Sequence, residues 1–207
     1  ISKITVDDDA VISGTTATGE ITITDTASGT ATIVLGSGND TVSDTADSKA
    51  ATIYGGAGDD TLKTGNGNNK VYGEDGDDTV TTKGGNDTIV GGAGDDTITA
   101  STGDNTITLG DGADIVNLAV DDAINDGTDD TTVKDFVMGT DKLILTGTAT
   151  DTTIDLTSVT PSSGVYTIAT GDFLVKLTGN TATDISDSVQ LGLSQKTPLI
   201  LIGDRRR

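Results

Sequence analysis

From Gly55 to Asn117 the chain divides without a gap into seven nine-residue phrases: GGAGDDTLK, TGNGNNKVY, GEDGDDTVT, TKGGNDTIV, GGAGDDTIT, ASTGDNTIT and LGDGADIVN. A fixed short period means stacked copies of one small unit, each too small to bury its apolar side alone. Position four is Gly in all seven phrases. Position eight is Leu62, Val71, Val80, Ile89, Ile98, Ile107 and Val116, between mostly polar neighbours. That alternation predicts a three-residue strand with one inward side chain. The preceding six residues are rich in Gly, Asp and Asn and must turn. Upstream the phase continues more loosely through ADSKAATIY, with Ile53 at position eight, and TASGTATIV, with Ile33 there. Between them LGSGNDTVS brings Val42, followed by a two-residue insertion at Asp44 and Thr45.

Composition sets the core's thickness. The chain has 28 glycines but only three Tyr, two Phe and no Trp, and aromatics supply much of the buried area of compact domains. A thin aliphatic core is expected. Without Cys or His there are no disulfides and no thiolate or imidazole chemistry. The 33 acidic residues against 12 basic ones give a net charge of −21, which argues against nucleic acid as a partner. Such an excess repels itself unless cations intervene. A Gly-rich acidic chain can also be disordered, but the regularity of the repeat points to an ordered object. No apolar run has the length of a membrane span. The chain opens at Ile1 with neither an initiator Met nor a signal peptide, so a fragment or processed product is expected.

The phrases resemble the GGxGxDxUx nonapeptide of the RTX (repeats-in-toxin) family, where U is a large aliphatic residue. GGAGDDTLK and GGAGDDTIT match in full, and the resemblance covers about residues 35–117. It implies an all-β fold, a right-handed parallel β-roll (solenoid), in which two nonapeptides make one coil and calcium ions sit between successive turns. Calcium suits the residues present: it takes six to eight hard oxygens from carboxylates and backbone carbonyls, and Gly-rich turns expose carbonyls at little steric cost.

Sorted by the implied coil, position six carries Asp60, Asp78, Asp96 and Asp114 on one edge, with Asp40 preceding them. The other edge carries Ala51, Asn69, Asp87 and Asn105. The expected calcium ligands are the carboxylates of Asp40, Asp60, Asp78, Asp96, Asp114 and Asp87. The carbonyls are those of Gly36, Gly38, Gly56, Gly58, Gly76, Gly92, Gly94, Gly110 and Gly112. Several ions are expected, on a strong first edge and a weak second one near Lys70 and Lys83. Asp59, Asp77 and Asp95, at position five, read as solvated turn residues. Glu74 in the place of a Gly, with Asp75 beside it, can distort its turn or add an outer oxygen. No EF-hand spacing occurs, and no G-x-G-x-x-G opens a helix.

The domain reading is a β lead-in of degenerate coils over 1–34, the roll over 35–117, and a C-terminal β cap with a type I secretion signal over 118–207. Strand-like runs are Ile4–Val6, Ala10–Ser13, Glu20–Thr24, Ala31–Leu35, Thr152–Leu156, Val165–Ile168 and Phe173–Leu177. An acidic loop is expected at Asp121–Asp130, and it and residues 150–155 are candidates for calcium bridges between molecules. VKDFVMGTDKLILTG, from Val133 to Gly147, resembles the segment that follows the nonapeptides in many RTX proteins, with Phe136 as a plug. The resemblance places the secretion signal at Asp184–Ile202, although the terminal Arg205–Arg207 is unlike one.

Three functions remain open at this stage. The first is a self-assembling, calcium-dependent region of a secreted bacterial surface-layer protein, suggested by the bias toward Thr, Gly, Asp and Ala. Its partners would be calcium, copies of itself and the type I secretion machinery, with no membrane span. The second is the secretion and folding module of an exported protease, lipase or epimerase. The third is an adhesin or ice-binding roll, suggested by the outward pairs Thr79/Thr81, Thr97/Thr99 and Thr106/Thr108. No catalytic constellation is expected within the chain, because the regularly spaced carboxylates already have a metal role.

Overall fold

The computed structural model describes residues 2–6, 10–14, 18–25, 29–44, 50–120, 130–137, 140–147, 165–170, 173–178 and 189–193. Among them every regular element is a strand and none is a helix. One nine-stranded sheet holds β1 (Ser2–Val6), β3 (Ile21–Asp25), β5 (Thr41–Asp44), β7 (Thr61–Lys63), β9 (Thr79–Thr81), β11 (Thr97–Ala100), β13 (Ile115–Val120), β15 (Lys142–Gly147) and β18 (Val189–Leu193), in that order. The second holds β2 (Ala10–Ser13), β4 (Ala31–Val34), β6 (Ala51–Ala57), β8 (Lys70–Asp75), β10 (Thr88–Ala93), β12 (Thr106–Asp111), β14 (Asp130–Lys134), β17 (Phe173–Thr178) and β16 (Val165–Thr170). All these pairings are parallel except the antiparallel β16–β17 pair.

The topology follows from the length of the turn. Six polar residues carry the chain across to the opposite sheet, so from β1 to β13 each strand's onward hydrogen-bonded neighbour is the strand two places further along. In the regular section Val80 faces Ile98 and Ile98 faces Val116, one coil apart. The result is a parallel β-roll with two nonapeptides per coil. Both sheets also take in the strands before residue 35 and β14, β15, β17 and β18 after residue 117.

The core is a stack of position-eight side chains. Ile33, Val42, Ile53, Leu62, Val71, Val80, Ile89, Ile98, Ile107, Val116, Val133 and Leu143 are all fully buried. Branched aliphatics suit a half-buried pleated surface, and β5, β7 and β9 each bury one apolar side chain between two polar ones. Phe136 is buried at the C-terminal end of the same core. One aliphatic group per nine residues is a small apolar term to set against the entropy of ordering the chain. Stability must therefore come largely from what happens at the turns.

The two outer faces differ. The first sheet places Thr22, Thr41, Thr61, Thr79 and Thr97 in one register row. The second sheet places Val34, Tyr54, Tyr72, Val90 and Thr108 in a row, with the two tyrosine rings stacked at 4.7 Å and 5°. The Thr-x-Thr pairs singled out from the sequence are therefore split between faces: Thr79/Thr81 and Thr97/Thr99 lie on the first sheet, Thr106/Thr108 on the second. The expected loop at Asp121–Asp130 lies outside the described residues except for Asp130, which begins β14. The segment 150–155, the strand Thr152–Leu156 and Arg205–Arg207 lie outside them altogether. So does the expected signal Asp184–Ile202, apart from β18.

Candidate metal centre

Each turn is set by its position-four glycine. Gly58, Gly76 and Gly94 have φ of 118°, 130° and 130°, a region open to Gly and strained for other residues. A Cβ at Gly94 would collide with the Gly76 carbonyl oxygen, and one at Gly76 with the Gly58 carbonyl oxygen. Position four is Gly throughout because consecutive turns bring their carbonyls into a close column. The N–H groups of Gly58, Gly76 and Gly94 donate to the Asp75, Ala93 and Asp111 carbonyls one coil on, each at 2.8 Å.

Against this column the position-six aspartates form a second one. Oδ1 of Asp60 accepts the backbone N–H of Asp40 at 2.7 Å; Asp78 accepts that of Asp60 at 2.8 Å, Asp96 that of Asp78 at 2.8 Å and Asp114 that of Asp96 at 2.9 Å. Asp40 in turn accepts the N–H of Ile21 at 2.6 Å. One carboxylate oxygen of each residue is thus spent on holding adjacent turns in register. The other oxygen, Oδ2, has no hydrogen-bond partner in Asp40, Asp60, Asp78, Asp96 and Asp114, and each of these side chains is only 1% exposed. Asp87 on the second edge has the same unpartnered Oδ2 and the same burial. Glycine at position one makes room for these oxygens: a Cβ at Gly73 or Gly91 would collide with Oδ2 of Asp78 or Asp96.

Buried carboxylate oxygens without donors are costly and do not persist without an explanation. Burial, the largest influence, and then the neighbouring carboxylates push Asp78 up to about 7 and Asp60 and Asp96 up to about 6. Asp40, Asp87 and Asp114 are raised as well, again chiefly by burial. The edge as it stands disfavours its own charge. A hard divalent cation would supply what is missing there: positive charge for the Oδ2 oxygens and an acceptor of carbonyl lone pairs. Among the described residues no three acidic, His or Cys side chains cluster as a ligand set. The residues fit calcium: among the described residues, the buried carboxylate oxygens without a hydrogen-bond partner belong to Asp40, Asp60, Asp78, Asp87, Asp96 and Asp114.

Four features differ from the sequence reading. Asp59, Asp77 and Asp95 are exposed, as expected, but they are more than solvated: their Oδ1 atoms accept the backbone N–H of Asp77, Asp95 and Ala113 at 3.1, 2.8 and 2.8 Å. This position-five column runs opposite to the position-six one, each side chain reaching the following turn. The near-constant Asp or Asn at position five was its signal. Asp141, read only as part of the C-terminal segment, continues the first edge: its Oδ1 accepts Asp114 N–H at 3.1 Å. Its Oδ2 is satisfied by Val137 N–H at 2.7 Å. The spacing from Asp141 to buried Leu143, the same as from position six to eight, was the available clue. Glu74 does not distort its turn, because it adopts the glycine-like φ of 83° and keeps its register with Gly56 and Gly92. Finally, Asn69 and Asn105 on the second edge make hydrogen bonds that no aspartate could.

Residues 45–80, 54–89 and 81–116 match the family model of the RTX calcium-binding nonapeptide repeat (four copies). No curated protein matches the chain. Among solved structures, the chain is similar to the extracellular lipase LipA from Serratia marcescens at 17% identity and a TM-score of 0.30. That match covers 69% of this chain and 40% of the lipase, so the chain spans well under half of the matched protein's length. Residues 45–116 are thus similar to RTX calcium-binding nonapeptide repeats.

Proposed function

We propose that the chain is a calcium-dependent structural region of a secreted bacterial cell-surface protein, of the surface-layer type, which folds on binding calcium outside the cell. The observation that carries the metal dependence is the buried row of unpartnered Oδ2 atoms at Asp40, Asp60, Asp78, Asp96 and Asp114. In this reading the carboxylates of that row and of Asp87 hold the ions, helped by carbonyls of Gly36, Gly38, Gly56, Gly58, Gly76, Gly92, Gly94, Gly110 and Gly112. Calcium supplies charge neutralisation and coordination there, with no chemical conversion. Where calcium is scarce, as in the cytosol, the aspartates repel and the thin core cannot hold the chain. The protein stays unfolded and passes through a type I exporter. Outside, calcium binds the folded form and stabilises it by mass action. The bias toward Thr, Gly, Asp and Ala, with no Cys, His or Trp, supports the surface-layer assignment and assembly with further copies. The chain itself is not an enzyme in this reading.

Two measurements test it. Calcium added to the chelated chain is expected to raise β structure in circular dichroism and the melting temperature; no change in either would remove the metal premise. Electron microscopy with calcium is expected to show a two-dimensional lattice. Dispersed particles under all calcium conditions would remove the surface-layer assignment and leave the calcium-dependent roll standing.

A further inference from the structure

On the second edge the position-six residues are Ala51, Asn69, Asp87 and Asn105. The asparagines reproduce the register bond of the aspartates: Oδ1 of Asn69 accepts Ala51 N–H at 2.9 Å, and Oδ1 of Asn105 accepts Asp87 N–H at 3.0 Å. Their other atom differs. Where an aspartate has an oxygen that can only accept, an asparagine has an NH₂ that can only donate. Nδ2 of Asn69 donates to the Gly65 carbonyl at 3.1 Å and the Gly67 carbonyl at 2.9 Å. Nδ2 of Asn105 donates to the Ser101 carbonyl at 3.0 Å and the Gly103 carbonyl at 3.0 Å. These are the position-two and position-four carbonyls of each residue's own turn, the class of oxygens that the first edge offers to calcium.

Building on the calcium reading above, we infer that the side-chain amides of Asn69 and Asn105 stand in for the cation on the second edge. Asp87 is left as that edge's one metal-binding carboxylate, and the turns of Asn69 and Asn105 are held without an ion of their own. The partial positive charge of two N–H groups does for the carbonyls what the ion does on the first edge, and a neutral amide brings no charge needing compensation. Asn69 also donates from Nδ2 to Oδ1 of Asp87 at 3.1 Å, tying the remaining carboxylate into the same spine. Asp87 shares its turn with the buried Thr82 hydroxyl, which lies beside its carboxyl and partly offsets the effect of burial on it. The two edges thus divide the work, one closing in response to calcium and the other fixing the stacking order of the turns.

The test uses the full chain and calcium alone as the probe. In calcium titration calorimetry, Asn69→Asp and Asn105→Asp are each expected to raise the number of bound ions by one per chain, and at calcium just sufficient to fold the unaltered chain each is expected to lower the melting temperature. In the calcium-loaded unaltered protein, the side-chain amide protons of Asn69 and Asn105 are expected to exchange with water at least tenfold more slowly than those of exposed Asn68. The exchange measurement needs no variant, so it decides the matter even if the substituted chains do not fold. Folded variants that bind no additional calcium, or amide protons exchanging as fast as those of Asn68, would overturn the inference while leaving the first-edge sites intact. An unaltered chain that binds no calcium at all would overturn the reading beneath it.

Discussion

Glu74 holds a backbone conformation that side chains avoid. Its φ of 83° matches the positive φ of Gly56 and Gly92 in the adjacent coils, and its side chain is exposed, so nothing in its own packing offsets the strain. A left-handed conformation costs a non-glycine residue about 1–2 kcal/mol, of which part is recovered because Gly loses more freedom on folding. Glu74→Gly is therefore expected to stabilise the roll by about 1 kcal/mol, read as a higher urea midpoint at fixed calcium. An unchanged or lower midpoint would show that the glutamate contributes an interaction that outweighs its backbone. The sequence identified Glu74 as an exception to the repeat but not which way the conflict resolves. The stacked carbonyls on either side and the strand register leave the turn no room to relax, so the residue takes the strain.

At the scale of one edge, two columns of acids lie next to each other with opposite duties. Position six is buried with one oxygen unpartnered; position five is exposed with one oxygen accepting from the next turn. Asp77→Ala is expected to cost about 1 kcal/mol, the value of one hydrogen bond, with the same number of bound calcium ions in calorimetry. Asp78→Ala is expected to lose at least one ion. If both substitutions lost the same number, the division between columns would be wrong. The pH response of the metal-free edge follows from its ionisation. In the folded chain Asp78 sits at about 7 and Asp60 and Asp96 at about 6, above their unfolded values, so the folded form binds more protons than the unfolded one. This stabilisation is fully present below the ordinary carboxylate range and is lost as pH rises through about 7. In chelator, β structure in circular dichroism should increase as pH falls from about 7 toward the ordinary carboxylate range, while calcium affinity should weaken over the same descent into acid, since protons and cations compete for the same oxygens. Metal-free β structure that declines on acidification would contradict the burial of these groups. Position six was legible because period, parity and residue type coincide there. Position five was less legible: its near-constant Asp or Asn marks it, but exposed turn residues of those types are equally expected where they only meet solvent. Asp141 was hidden because it lies 27 residues from Asp114 rather than 18.

For the whole molecule, the −21 net charge and the narrow core are what the proposed calcium-dependent folding would require. The fold class was readable from seven phrases alone. The continuation of both sheets from β1 to β18 was less so, because strands outside the regular section keep the alternation while losing the glycines and aspartates that mark the phase. This distribution has a thermodynamic consequence. If the first edge binds several ions only when the turns are stacked, unfolding free energy must rise with calcium in proportion to the number of ions released on unfolding. Below saturation of the folded sites each ion adds nothing, and above it each adds about 1.4 kcal/mol per tenfold increase in free calcium. A plot of unfolding free energy against log calcium should therefore steepen to a slope that counts the coupled ions. Asp60→Ala, in the middle of the row, should reduce that slope by at least one such unit, and Asp77→Ala should leave it unchanged. A slope near one unit for the unaltered chain would mean that a single site controls folding and that the remaining aspartates are held by something other than calcium.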